Sequence, residues 1–389
     1  MRIFFASAGK LLTDHRPHGE GLIAWNLLSG LAARGHDVTA CAARLDLHDD
    51  PPFRAVELGA GGPSSAFAPV VHAFRAAALL RRLGGRKRFD VVHWLRPSDQ
   101  LTMLYPRAVL AAGTGGLPLV VGPLARPWPP QTPGVRSARA EIAFRALTRA
   151  AEPFQRRALT RVLPLAATPD VVDALRPEWR PRAKHLPLGV DTNSFTASAL
   201  PDDPAVLAIG ALAPRKGIRE LVEAFAAVRA ACPRARLTLA GDGPERRWIE
   251  RRIVELGIAD GVELLGAVPP EAMPALLART TVLVNASRGE PFGMSILEAM
   301  ATARPVVAVD QGGPASLVVD GLGGRLVPPA ERLELAEPLI QVLTDRAAAE
   351  RMGKFNRTRI EREFSLAAVL DNLEGVYEEA AGLTTRRPV

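Results

Sequence analysis

Two glutamates, Glu290 and Glu298, stand eight positions apart in EPFGMSILEAM, with a Pro, a Gly and a short apolar run between them. A carboxylate in such surroundings is costly to bury unless something binds it. Upstream, GALAPRKG places Arg215 and Lys216 in a turn before a predicted helix. Cations beside a helix N-terminus make a site for phosphate. Gly293 permits an unusual backbone angle ahead of a helix starting near Ser295, and the free N–H groups of that first turn can donate to a phosphate or to sugar hydroxyls. Gly312 and Gly313, in DQGGPASL, suit a backbone nest for an anion or equally a loop that needs only small residues. Structural readings compete with these. Ser295-x-x-Glu298 is a capping box, and a Glu in the first turn suits the helix dipole. Glu290 reads equally as an exposed charge, and Arg215–Lys216 as a solvated basic loop.

The elements that position these residues are legible as alternating strands and helices. In the first half, RIFFASA, HDVTACA, FDVVHW, LPLVVG and RVLPLAA are apolar runs of strand length, and GLIAWNLLSGLAARG is apolar at helical spacing and closed by Gly35. Near residue 186 the rhythm restarts. AVLAIGAL, ARLTLAGDGP, GVELLG, TVLVNAS and RPVVAVD follow as strands, with helices such as GIRELVEAFAAVRA between them. Buried strands alternating with helices imply parallel, doubly wound sheets. The fold expected is α/β: two Rossmann-like domains over residues 1–186 and 187–365, and a C-terminal helix over 366–389 that packs on the first domain. Ligands bind outside the carboxyl ends of parallel strands. The chemistry is therefore expected at strand ends, in a cleft between the domains.

Bulk properties narrow the class. With 389 residues, 48% hydrophobic and 23% charged, the chain has the composition of a soluble, two-domain protein. The net charge of +8 divides into +12 over residues 1–185 and −4 over 186–389, which suggests two domains facing different partners. No nucleic-acid motif accompanies the basic half. Two distant cysteines, Cys41 and Cys232, make neither a disulfide framework nor a zinc site, and a cytoplasmic location fits. The run from Ala108 is broken by four glycines and two prolines and reads as a helix end, a turn and a strand rather than a membrane span. No metal motif stands out.

Taken together, Glu-x7-Glu, the Arg-Lys-Gly loop before it and Gly-Gly-Pro after it resemble the retaining glycosyltransferases of sequence family 4, which have the two-domain GT-B fold. ARGHDVTA, DVVHW and LPLGVDTNSF resemble further landmarks of that family, so the match covers most of the chain. The resemblance implies transfer of a hexosyl unit from a nucleoside diphosphate sugar, of the UDP or GDP type, with retention and without a cofactor or metal. It implies that Glu290 binds hydroxyls of the donor sugar and Glu298 those of the ribose. Arg215 and Lys216 would hold the diphosphate, and Gly210 and the backbone of Phe292, Gly293, Met294 and Ser295 would line the donor site. Gly19 and Gly21, in PHGEG, would form a flexible loop beneath the diphosphate.

The sequence departs from the family pattern in three places. No His follows the LPLVVG strand; GPLARPW stands there, so Arg126 could replace it, Leu124 and Ala125 could leave a wider pocket, and His93 is the nearest remaining imidazole, either in the cleft or as a structural residue. Ser316 stands where a Glu often follows Gly-Gly, and Leu188 where an Asn often precedes Gly-Val-Asp. These departures bear on sugar specificity and on competence. A binding subunit that holds donor without transferring it, or a sugar-nucleotide epimerase of the same fold, are the alternatives. The segment from Arg136 to Arg161 carries seven Arg and two Glu at helical spacing. It reads as a solvated surface helix or as a helix lying peripherally on an anionic membrane and presenting a lipid acceptor. A soluble natural product or cyclitol is the other acceptor class.

Overall fold

The computed structural model describes residues 1–7, 11–16, 19–59, 68–95, 113–125, 162–175, 177, 179–330 and 333–385. The basic segment 136–161 and Arg126 lie outside the described residues. The chain divides into two units, Met1–Leu188 with Val369–Val389, and Gly189–Ala368.

The first unit is built on seven parallel strands in the order β5-β3-β1-β6-β7-β8-β9. They are β1 (Arg2–Ser7), β3 (Asp37–Ala42), β5 (Arg54–Glu57), β6 (Val91–Leu95), β7 (Leu119–Leu124), β8 (Val162–Ala166) and β9 (Lys184–His185). The strands β6, β7 and β8 are buried along their whole length, as expected of a parallel sheet covered on both faces. Two short strands, β2 (Leu12–Thr13) and β4 (Leu45–Asp46), pair beyond the carboxyl ends of β1 and β3. The helix Gly19–Ala33 ends at Gly35, whose φ of 82° lets its N–H reach Ala32 O at 2.9 Å and sets up the return into β3.

The C-terminal helix Leu366–Thr385 packs on this first unit from Val369 onward. Its Glu374 accepts from His36 (2.7 Å) and Arg34 (2.8 Å), and Glu379 pairs with Lys184 at 3.0 Å. Its deepest contact is with His93. That ring is fully buried in β6 (0% exposed), with Nε2 2.8 Å from Gly122 O and Nδ1 2.5 Å from the Tyr377 hydroxyl. A carbonyl can only accept, so Nε2 carries the proton and the Tyr377 hydroxyl donates to Nδ1. Burial pushes the imidazole down to about 4 and keeps it neutral, against a smaller opposing effect of the Gly122 carbonyl.

The second unit holds six parallel strands in the order β12-β11-β10-β13-β14-β15. They are β10 (Ala205–Ile209), β11 (Arg236–Ala240), β12 (Val262–Gly266), β13 (Val282–Asn285), β14 (Val306–Val309) and β15 (Gly324–Val327). Its core joins Val206, Leu237, Val282 and Val307 from the strands to Leu221, Phe225, Ile249 and Leu339 from the helices. Arg304, fully buried, donates to Ala199 O (3.0 Å) and Ala278 O (3.3 Å) and to the Ser198 hydroxyl. It ties the entry segment of the unit to the corner before β14. No described helix is long and apolar enough to cross a membrane.

Tyr377→Phe removes the only donor to His93 Nδ1 among the described residues and leaves a buried acceptor unsatisfied, a loss of about 1–3 kcal/mol. The melting temperature of Tyr377→Phe is expected to fall. The penalty for charging a buried His adds to it in acid: the folded imidazole resists protonation, so this contribution to stability is whole above the ordinary value near 6.5 and is lost as pH falls towards about 4. A variant that melts with the wild type across that range would contradict the assignment.

Candidate active site

Three loops meet at the carboxyl edge of the second sheet. The loop after β10 begins at Gly210, whose N–H donates to Ala240 O at 2.9 Å. A Cβ on Gly241 would come within 1.9 Å of Gly210 O, so the loops after β10 and β11 touch backbone to backbone there. The chain then makes a single 3-10 turn over Pro214–Lys216, and Gly217, at φ 65°, starts the helix Ile218–Ala231. A Cβ on Gly217 would meet Ala286 O at 2.2 Å, which brings this loop against the one following β13. The Arg288 N–H donates to Arg215 O at 3.2 Å, and the Arg288 guanidinium pairs with Glu220 at 3.0 Å. Between the two loops Lys216 Nζ lies 2.8 Å from Glu290 Oε2, with both side chains largely shielded from solvent (15% and 13% exposed).

The third loop, after β14, closes on the same segment. Gly313 N–H donates to Glu290 O at 2.9 Å, and a Cβ on Gly313 would lie 2.0 Å from Phe292 O. Gly312 has φ 65°, and a Cβ there would lie 2.6 Å from Glu290 O. Of the two readings of this glycine pair, close approach to the Glu290–Phe292 backbone is the one the geometry requires.

The helix Met294–Ala301 starts one residue earlier than expected, and its N-cap is Gly293 in the left-handed region at φ 106°. The capping box is therefore corrected. Ser295 lies inside the first turn, no side chain caps the helix, and Glu298 falls in the second turn. The glycine sets the entry angle and leaves the first N–H groups uncapped by any side chain. Glu298 is half-buried, its carboxylate makes no hydrogen bond or ion pair among the described residues, and burial pushes it up to about 7. An unpartnered carboxyl so displaced, one helical turn behind a loop rich in polar groups, is a candidate for ligand binding.

The structure therefore brings Lys216 and Glu290 into direct contact, sets Arg215, Gly210, Phe292 and Gly293 on the loops around them, and puts Met294 and Ser295 in the first turn of the helix that follows. Phe292 is buried (4% exposed). Residues of the first unit differ from expectation. His93 is a core residue with both ring nitrogens engaged, so it cannot meet a ligand without breaking the contact with Tyr377. Gly19 and Gly21 lie in the first turn of the helix Gly19–Ala33, not in a flexible loop. The brace of Glu220 and Arg288 escaped the sequence reading; the Glu in the first turn after Lys216-Gly217 was its one visible sign. Among the described residues no group of three His, Cys, Asp or Glu could hold a metal ion.

Residues 190–359 match the family model described as Glycosyl transferases group 1. That segment lies within the second parallel α/β unit, and the fold of two such units is the one found in glycosyltransferases of the GT-B type. It is 35% identical over 180 residues to alpha-D-kanosaminyltransferase of Streptomyces kanamyceticus, covering 46% of this chain and 47% of that protein. It is 31% identical over 192 residues to the GDP-mannose-dependent alpha-(1-6)-phosphatidylinositol monomannoside mannosyltransferase of Mycolicibacterium smegmatis, covering 45% and 50%. The chain thus spans about half the length of these curated relatives. The fold is similar to that of sucrose-phosphate synthase from Thermosynechococcus elongatus, with a TM-score of 0.73, 22% identity, and 98% and 99% of the two chains covered.

The isolated carboxyl of Glu298 sets a pH signature for the ligand-free protein. A folded carboxyl raised from 4.5 to about 7 binds its proton more tightly than the unfolded chain does. Stability then declines as pH rises through that window. Glu298→Gln removes the ionisation, so it is expected to stabilise the ligand-free protein above pH about 7, on the order of 1–2 kcal/mol after allowing for partial exposure. The advantage should vanish towards pH 4. Melting curves across that range check it, and a Gln variant no more stable than wild type at pH 8 would contradict it.

Proposed function

We propose that this protein transfers a hexosyl unit from a nucleoside diphosphate sugar, of the UDP or GDP type, to a hydroxyl of an acceptor, with retention of configuration. The contact between Lys216 and Glu290 carries the reading: it sets a cation for the diphosphate beside a carboxylate for the sugar. Arg215 and Lys216 hold the diphosphate. Glu290 accepts from sugar hydroxyls, and Glu298 accepts from the ribose. The backbone of Gly210 and of Phe292, Gly293, Met294 and Ser295 lines the donor.

In the reaction the bond between the anomeric carbon and the phosphate oxygen breaks. The acceptor oxygen bonds to that carbon, and its proton passes to the leaving diphosphate. Negative charge grows on the diphosphate oxygens. Fixed cations and uncapped helix N–H groups stabilise it there, which supports a metal-independent mechanism. The relatives include an alpha-D-kanosaminyltransferase and a phosphatidylinositol monomannoside mannosyltransferase, and the acceptor proposed is a natural product, cyclitol or lipid. A cytoplasmic location, with peripheral membrane contact through the basic first half for a lipid acceptor, belongs to the same proposal.

The two glutamates separate the roles. Glu298→Gln loses a charge-assisted contact to the ribose, about 1.5–3 kcal/mol, so UDP or GDP should bind about tenfold or more weakly. In wild type this affinity should also rise with pH through about 7, as the carboxylate forms, and the variant should lose that dependence. Glu290→Gln releases Lys216, so sugar-free nucleotide should bind at least as well while transfer falls. Lys216→Ala should lower the rate at saturating donor about a hundredfold. Calorimetry with UDP and GDP and a nucleotide-release assay supply these numbers. Equal weakening of sugar-free nucleotide by both glutamine substitutions would sink the division of roles.

A further inference from the structure

The helix Arg346–Arg359 and the wide π-type turn Ile360–Phe364 that follows it carry a cavity of about 290 Å³ on their outer face. It is lined by Arg351, Lys354, Phe355, Thr358, Arg359 and Arg362. Their spacing of three or four residues stacks them along one side of the helix. Cations elsewhere on this helix are neutralised by a partner one turn away: Arg346 by Glu350 at 3.0 Å and Arg357 by Glu361 at 2.6 Å. The cavity face differs. Arg351 and Lys354 are exposed and make no ion pair among the described residues. One carboxylate, Glu363, serves both Arg359 and Arg362. Arg359 is otherwise occupied by Leu317 O and Ser316 O, so it forms a fixed wall. Like charges gathered in this way repel one another, and an anion would relieve that cost.

We propose that this cavity is a second anion site, separate from the loops around Lys216, and that it binds a phosphate monoester. Arg351, Lys354 and Arg362 supply the donors. The Thr358 hydroxyl, now bonded to Lys354 O at 3.1 Å, turns to the ligand as a further donor. Arg guanidinium groups match phosphate oxygens in pairs, and Lys adds a point charge. The organic part of the ester has its own surface. Phe355 forms the apolar side of the cavity, and the turn at Gly323 lies against its ring, where a Cβ would come within 3.4 Å of Cδ1. The neighbouring Leu322 is 55% exposed. A cationic cavity with an apolar shoulder suits an ester better than bare phosphate. The ester could be a soluble metabolite or a lipid headgroup.

Titration of the whole protein with glycerol 3-phosphate, and sedimentation with phosphatidylcholine vesicles with and without phosphatidic acid, test the site and tell its two sources apart. Wild type is expected to bind at least one of them, more weakly as salt rises. The triple variant R351Q/K354Q/R362Q should weaken that binding about tenfold or more, and R351K/R362K should retain it. Gln is a good helix former, so the triple variant is expected to melt with wild type. Lys216→Ala, which disables the donor loops, should leave this binding intact. Preference for the soluble ester assigns a metabolite, and preference for phosphatidic acid vesicles assigns a headgroup. The proposal is overturned if wild type binds neither at low salt, if the triple variant binds as tightly as wild type, or if the binding disappears with Lys216→Ala.

Discussion

Backbone packed directly on backbone holds the candidate active site together. Gly241 rests on Gly210 O, Gly217 on Ala286 O, and Gly313 on Phe292 O, and no Cβ fits at any of the three contacts. Packing of this kind has little slack, because there is no side chain to swing aside. It fixes where Lys216 leaves one loop and Glu290 leaves another, and so permits a 2.8 Å ion pair between residues 74 positions apart. The Arg288–Glu220 pair and the Arg288 N–H to Arg215 O bond repeat the tie on the outer side. Charges brought together by loops this rigid are already placed before a ligand arrives, which is what electrostatic stabilisation of a leaving group needs.

Glu298 depends on the same constraint indirectly. Gly293 turns the chain through the left-handed region, and the helix that follows carries Glu298 into a half-buried position with no partner. The two glutamates therefore differ in kind. Glu290 is compensated by a lysine in the ligand-free protein, and Glu298 bears the whole cost of desolvation. A ligand that supplied hydroxyl donors to Glu298 would recover part of that cost on binding.

The sequence made the strands plain and the site half plain, for physical reasons. β1, β7, β8, β10, β13 and β14 have buried centres and read as apolar runs, and β6 does so on either side of His93. The edge strand β5, Arg-Ala-Val-Glu, is partly exposed and too short to show a period. β2, β4 and β9 have two residues each and carry no pattern at all. Lys216 and Glu290 stood out because they sit in loops after strong strands. The capping box misled because Ser-x-x-Glu is a local pattern, and a glycine two residues earlier took over the cap. His93 could not be read as a core residue from its neighbours, since its decisive partner lies 284 positions away.

That separation has a consequence for how the protein is made. The first unit takes its last helix from residues beyond Val369, after the whole second unit has passed. On the ribosome, β6 would emerge with the His93 ring lacking its hydroxyl donor, and the surface around Gly30 would lack Leu370, which packs there in the finished protein. The amino-terminal unit begins first and finishes last. A nascent chain stalled before Tyr377 would carry a nearly complete sheet with an open apolar flank, the kind of intermediate that chaperones shield.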